Sequence, residues 1–262
     1  DYKLIIPTRE ELNLTDVHAC YEFVLNSKPD WIINTAAYTA VDDAEDNKEL
    51  ALLINSEAPK YLAKALKKTG GKILHLSTDY VFDGNQNYPW EPFQEPNPLN
   101  TYGKTKYLGE QNILKELKDS SQCIILRTSW IISPVRKNFA LTILKLCKSR
   151  QFINVINDQY GTPTSTNSLS KICSQIIQKD QTKFKLPHIL HWSDYGTTNW
   201  YEIACETSKI ALKLGLINKK AKIIPIKTSA YSSKAKRPLY SVLDSKCTCE
   251  ILGVKQVKWE NS

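Results

Sequence analysis

An α/β fold, a doubly wound parallel sheet followed by a smaller C-terminal lobe, is predicted by three observations. Short runs rich in Ile, Leu and Val alternate with longer amphipathic segments, the pattern of buried parallel strands joined by right-handed crossover helices. The 262 residues are 42% hydrophobic and 24% charged, with no internal repeat or low-complexity tract, which suits one large domain or two unequal lobes. After Trp130 the alternation loosens. That change sets the expected boundary: residues 1–133 for the sheet-bearing domain and 134–262 mainly for the second lobe, with part of 152–192 returning to the sheet.

Taken in order, residues 4–6 read as a strand, 17–25 as a helix capped by Asp16, and Trp31–Asn34 as a strand. A long helix follows over 47–68, closed by Gly70-Gly71, then a strand at 72–77, a helix at 101–118 and a strand at Cys123–Thr128. The strands are apolar runs and the helices begin at capping residues or end at glycine. Beyond Trp130, helices are expected at 138–148, 166–178 and 198–214, and strands at 188–192 and Lys222–Ile226. The stretch SAYSSKAKRPLYSVLD in the polar tail reads as an ordered loop leading to a short helix.

Composition excludes several function classes. The formal charge is +8, yet the 35 basic residues include only five arginines and the lysines are interspersed with acids. Phosphate and base-edge recognition favours the planar arginine fork, so no nucleic acid is expected; the basic surface suits attraction of a small anionic substrate. No membrane association is expected either, because no run of 18 or more apolar residues occurs. The first residues lack the features of a secretory signal, which argues for a cytoplasmic protein. The seven cysteines are odd in number and scattered, as reduced thiols would be. Cys247 and Cys249 form a C-x-C without a second pair at zinc spacing, so no metal site is expected there.

The candidate chemistry begins at YGKTKYLGE, where Tyr102 precedes Lys106 by one helical turn, so both side chains project from one face. An ammonium about 5 Å from a phenol would stabilise phenolate by roughly 3 kcal/mol at an effective dielectric near 20, about two pKa units. Such a pair can exchange a proton with a substrate oxygen. Alone, the spacing also fits the start of an ordinary surface helix. A second element upstream strengthens it: the strand at 72–77 runs into STDYVFDG, placing the hydroxyls of Ser77 and Thr78 and the carboxylate of Asp79 at the carboxyl end of a parallel strand, where ligands of open α/β sheets bind.

With these motifs on the page, the chain resembles the extended short-chain dehydrogenase/reductase superfamily, and within it the reductases of nucleotide-linked keto-sugars. The resemblance runs through KPDWIINTAAYTAVDDAE (28–45), HLSTDYVFDG (75–84), PLNTYGKTKYLGE (98–110), LRTSWI (126–131), NFALTILKL (138–146), VINDQYGTPTS (155–165) and RPLYSVLD (237–244). It implies a Rossmann-like sheet with a C-terminal substrate-binding lobe. The implied activity is reduction of the C4 keto group of a dTDP-linked 4-keto-6-deoxy-L-mannose, with NADPH or NADH as cofactor. Magnesium is a candidate second cofactor for which no acids can be matched, and a homodimer is the candidate assembly. By the same resemblance Tyr102 is the general acid. Lys106 binds the nicotinamide ribose and depresses the Tyr102 pKa. Thr78, with Asp79, holds the reacting oxygen, and Ser77 borders the cofactor. Ala36, Ala37 and Tyr38 are the cofactor-loop candidates, although a tight strand-to-helix turn also explains small residues. Trp130, Gln159, Thr162, Thr164 and Arg237 are the substrate candidates. Trp130 also fits an ordinary core aromatic, and Arg237 a surface charge beside a turn proline.

Two departures from the resemblance stand out. The usual ending near N-S-R-L after the proline is here Leu239-Tyr240-Ser241-Val242-Leu243, and no glycine-rich strand–turn–helix is present among the nine glycines. Because dinucleotide-binding lobes open with such a turn, the chain is expected to start inside its domain, with roughly 25 to 30 residues of a βα unit preceding it. Two other functions remain open on the sequence: an epimerase or dehydratase of nucleotide sugars, and a non-catalytic regulatory subunit like the β subunit of methionine adenosyltransferase.

Overall fold

A computed structural model describes residues 3–117, 121–180, 186–219 and 221–262. The first expectation fails. Residues 3–8 form no strand, and Leu4, Ile5 and Ile6 are 75%, 48% and 80% exposed. An apolar run becomes a strand only where a neighbouring edge pairs with its backbone, and among the described residues none does. Helix α1 (Val17–Ser27) then begins at Asp16, whose carboxylate accepts from the Ala19 N–H at 3.0 Å, and stops at Lys28 in the left-handed region. Strand β1 (Trp31–Asn34) follows.

The long helix expected over 47–68 is broken. After the single turn α2 (Asp43–Asp46) come α3 (Lys48–Leu52), a π-turn at Leu53–Glu57, and α4 (Ala58–Thr69), which ends on the left-handed Gly70. Strand β2 (Lys72–Thr78), helix α5 (Thr101–Glu116) and strand β3 (Cys123–Thr128) lie close to their expected bounds. The Asn100 side chain caps α5 by accepting from the Gly103 N–H. Beyond Trp130 come β4 (Ile131–Ile132), α6 (Phe139–Ser149), β5 (Phe152–Ile156), β6 (Tyr160–Gly161), β7 (Thr164–Ser165) and α7 (Thr166–Asp180). The chain continues through β8 (Ile189–Trp192), β9 (Thr198–Asn199), α8 (Trp200–Lys213), β10 (Lys222–Ile226) and α9 (Lys246–Leu252). Strands β4, β6, β7 and β9 span two residues each, too short to show a period in sequence.

The main sheet has the order β1-β2-β3-β8 and is parallel throughout. Alternating side chains divide between its faces. Ile73 and Cys123 join a core built with Cys20 and Val24 of α1, Leu62 and Leu66 of α4, and Ile113 of α5. Leu74, Ile124, Leu126 and Leu190 pack on the other face with Leu169, Ile172 and Ile176 of α7, flanked by Cys247 and Cys249 of α9. Helices on both faces make the sheet doubly wound, as expected, and its Rossmann-like character follows. A second parallel pair, β10 on β5, carries its own core with α6 and α8. None of the seven cysteines is bridged. No described helix is long and apolar enough to cross a membrane.

Candidate active site

The carboxyl ends of β2 and β3 lie in register, Ser77 beside Arg127 and Thr78 beside Thr128, so the polar residues ending the strands gather at one edge. Thr78 caps the short turn that follows: its hydroxyl accepts from the Tyr80 N–H and donates to Asp79 Oδ1, each at 3.1 Å. Helix α5 brings Tyr102 over this turn, its ring edge-on to Tyr80 at 5.8 Å between centroids. The helix can approach so closely because Gly103 faces the Tyr80 carbonyl, where a Cβ would come within 2.2 Å of the oxygen.

Burial pushes the Tyr102 phenol up to about 12; a hydrogen bond with Thr78 pulls it down and the Asp79 charge raises it. Lys106 does not act on it as expected. The amine donates instead to the Leu76 carbonyl at 2.6 Å and lies 3.1 Å from His75 Nε2. Burial lowers Lys106 to about 8, and Glu110 opposes that shift. The sequence reading is therefore corrected: the shared helix face is real, but the Lys106 head goes to β2, and the phenol, raised by burial, stays protonated at neutral pH. Asp79 is driven by burial up to about 7, against the hydrogen bonds from Ser241 and Thr78. It can donate or accept a proton near neutrality.

The loop after β1 reaches the same edge. Ala36 is exposed, Ala37 and Tyr38 are half-buried, and the Ala36 N–H donates to Asn34 Oδ1. Asn55, left out of the sequence-based site, holds this loop. Its Oδ1 accepts from the Tyr38 N–H at 2.8 Å, and its Nδ2 donates to the Tyr38 carbonyl and to Thr105 Oγ1 on α5, each at 3.1 Å. Asn55 lies within the π-turn Leu53–Glu57, a kind of turn found frequently at functional sites. Gly109 lets α5 close on it, since a Cβ there would lie 2.2 Å from the Asn55 carbonyl oxygen. The signal in the sequence was a polar amide within an otherwise apolar helical run. Asn55→Ala is expected to remove about 1–3 kcal/mol of stability by stranding the Tyr38 backbone groups. Denaturant unfolding checks the loss.

The substrate candidates divide. Trp130 sits at positive φ, half-buried and stacked on Trp200 at 3.7 Å, with Gly161 leaving room for its ring. Gln159 is buried, donating to Thr228 Oγ1 and accepting from Trp200 Nε1. Thr162 accepts from Ser129 Oγ through its carbonyl, and Thr164 meets Thr128 Oγ1 at 3.4 Å. These three serve contacts within the chain. Arg237 forms a two-pronged pair with Asp42, at 2.6 and 3.1 Å, that pulls the Asp42 carboxylate below its usual range. Asp42 also accepts from the Ala235 N–H, tying the tail loop to the segment after β1. Among the described residues no three His, Cys, Asp or Glu side chains cluster as metal ligands, so the acids give magnesium no assigned place.

Residues 1–262 match the family described as the RmlD substrate binding domain. The chain is 40% identical over 225 residues to the dTDP-4-dehydrorhamnose reductase of Salmonella typhimurium, covering 86% of this chain and 74% of that one. A crystal structure of dTDP-4-dehydrorhamnose reductase from Bacillus anthracis in complex with NADP superposes with a TM-score of 0.89 at 32% identity, covering 99% and 88% of the two chains. The Clostridium acetobutylicum reductase gives a TM-score of 0.87 at 35% identity over 98% and 86%.

Proposed function

This chain belongs to the RmlD substrate-binding-domain family, and from that premise we propose that it is an NADPH-dependent reductase converting dTDP-4-dehydrorhamnose into dTDP-L-rhamnose. The observation that carries the reading is the meeting of Thr78 and Tyr102 at the carboxyl end of β2, with Lys106 on the same helix. A carbonyl placed there would face a protonated phenol positioned by a hydroxyl, the state that reduction requires.

The residues present fit the dinucleotide. Ser77 Oγ is buried without a partner at the strand end, and Ala36 in the adjoining loop is small and exposed. Ser77, Ala36, Ala37, Tyr38 and Lys106 would hold NADPH, which when bound supplies hydride to C4. Tyr102 gives its phenolic proton to the C4 oxygen as that oxygen takes up negative charge, and the C=O becomes CH–OH. Thr78 keeps the phenol aimed, and Asp79 can restore the proton through Thr78. On the substrate side the lobe formed by α6, α8, β5 and β10 presents the Trp130–Trp200 stack as an apolar wall for the deoxy-sugar. Arg237 is the candidate for the diphosphate, which would compete with Asp42 for its fork.

The test is stoichiometry. Incubation with NADPH and dTDP-4-dehydrorhamnose should consume one NADPH for each dTDP-L-rhamnose formed. Conversion of the keto-sugar to an isomer of the same oxidation state, without net NADPH loss, would instead indicate an epimerase.

A further inference from the structure

Lys106 is buried, and its nitrogen has two protein partners on β2: the Leu76 carbonyl at 2.6 Å and His75 Nε2 at 3.1 Å. His75 is itself fully buried, with its other ring nitrogen 3.0 Å from Asn34 Nδ2 on β1. The three side chains form a line across two neighbouring strands, Asn34 and His75 being partners in register. We propose that His75 is the positioning residue for Lys106: clasped between the Asn34 amide and Lys106 Nζ, its ring holds the amine at the site and changes tautomer with the Lys106 proton. This rests on the reading of Lys106 as part of the reductase site.

Hydrogen-bond accounting supports the coupling. A neutral imidazole has one N–H and one lone pair, so it cannot accept from both neighbours at once. When Lys106 is an ammonium it donates to Nε2. The ring proton then sits on Nδ1, and Asn34 must rotate its amide to present Oδ1, giving up the bond that this oxygen accepts from the Ala36 N–H at 3.3 Å. When Lys106 is an amine its lone pair accepts from Nε2–H, and Nδ1 accepts from Asn34 Nδ2, the orientation observed. Passing from the first state to the second releases one proton to water and exchanges the ring tautomer. The ring stays neutral in both, because burial and the Lys106 charge hold His75 well below its usual range. The charged groups around the unit are Glu110 on α5, which stabilises the ammonium, and Arg127 on β3, which engages Glu110. Asp79 and Tyr102 lie at the strand end beyond it.

The experiment is nitrogen NMR of protein labelled with 15N-histidine, the His75 signals being assigned among the four histidines by their loss in His75→Gln. Between about pH 6 and pH 10, Nε2 should pass from acceptor-type to N–H-type with a midpoint near 8, without the ring becoming cationic. Lys106→Met should abolish the transition. A ring that becomes cationic near its ordinary pKa, or one whose spectrum is the same in Lys106→Met as in the parent, overturns the proposal. In kinetics, His75→Gln keeps an acceptor for Lys106 and should stay within about threefold of the parent kcat. His75→Leu should lose about tenfold and move the alkaline limb of the kcat–pH profile to lower pH. A Leu variant with the parent profile also overturns it. Failure of the unaltered chain to turn over would count against the reductase reading alone, since the nitrogen spectrum decides the role of His75 independently.

Discussion

Tyr102→Phe is expected to lower kcat for reduction of dTDP-4-dehydrorhamnose by about 100- to 10,000-fold, the range associated with losing a positioned proton donor, while leaving KM within a few-fold. The reasoning is local. The substitution removes one oxygen and keeps the ring, so the edge-on contact with Tyr80 at 5.8 Å survives. Thr78 is not stranded, because its hydroxyl still accepts from the Tyr80 N–H and donates to Asp79. An interaction used only as charge develops on the substrate oxygen affects kcat and kcat/KM together. The pH profile sharpens the test. With the phenol near 12, Tyr102 is fully protonated from acid through neutral pH, so no loss of rate in that range should trace to its ionisation. Lys106, near 8, is the group expected to set an alkaline limb. A Phe variant with a rate within threefold of the parent would remove Tyr102 from the chemistry.

The parts of this site that were legible in sequence are those whose geometry is local. A four-residue spacing on a helix, a Ser-Thr-Asp string at a strand end and apolar runs of β1, β2 and β3 each carry their meaning within a few residues. What was missed is non-local. The direction of the Lys106 head is decided by His75 and Leu76, some thirty residues away and adjacent only because β2 lies beneath α5. Asn55 is an amide inside a helical run, but it sits in a π-turn that propensity does not announce, and its partners Tyr38 and Thr105 are 17 and 50 residues away. Residues 4–6 misled for the opposite reason, since three apolar side chains satisfy a strand pattern without supplying the pairing edge that a strand needs. In DQYGTPT the sequence offers Gln159 and Thr164 for substrate, yet both spend polar atoms on Thr228, Trp200 and Thr128. A sequence motif cannot say which way such side chains face.

Glu110→Ala is expected to have the largest effect on stability, about 3–5 kcal/mol, the range for breaking a buried ion pair by removing one partner. Arg127 and Glu110 are each 1% exposed and joined by contacts at 2.7, 3.0 and 3.3 Å. Removing the carboxylate would leave the guanidinium with the Pro92 carbonyl at 3.4 Å and the face of Phe82. Neither can replace a full negative charge in that interior. For a chain of this length the loss corresponds to a fall in Tm of about 10 °C, measurable by thermal unfolding. Replacing both partners, Glu110→Leu with Arg127→Met, should recover most of it, because an uncharged pair of similar volume carries no unpaired charge. A single variant losing less than about 1 kcal/mol would mean that water reaches the pair and that its burial is not what holds α5 to β3. The same substitution has a functional consequence that packing alone would not produce. Glu110 lies one turn beyond Lys106 and raises its pKa, so its removal should move the alkaline limb of the kcat–pH profile to lower pH. The double variant, which restores stability without restoring the charge, should keep that displaced limb.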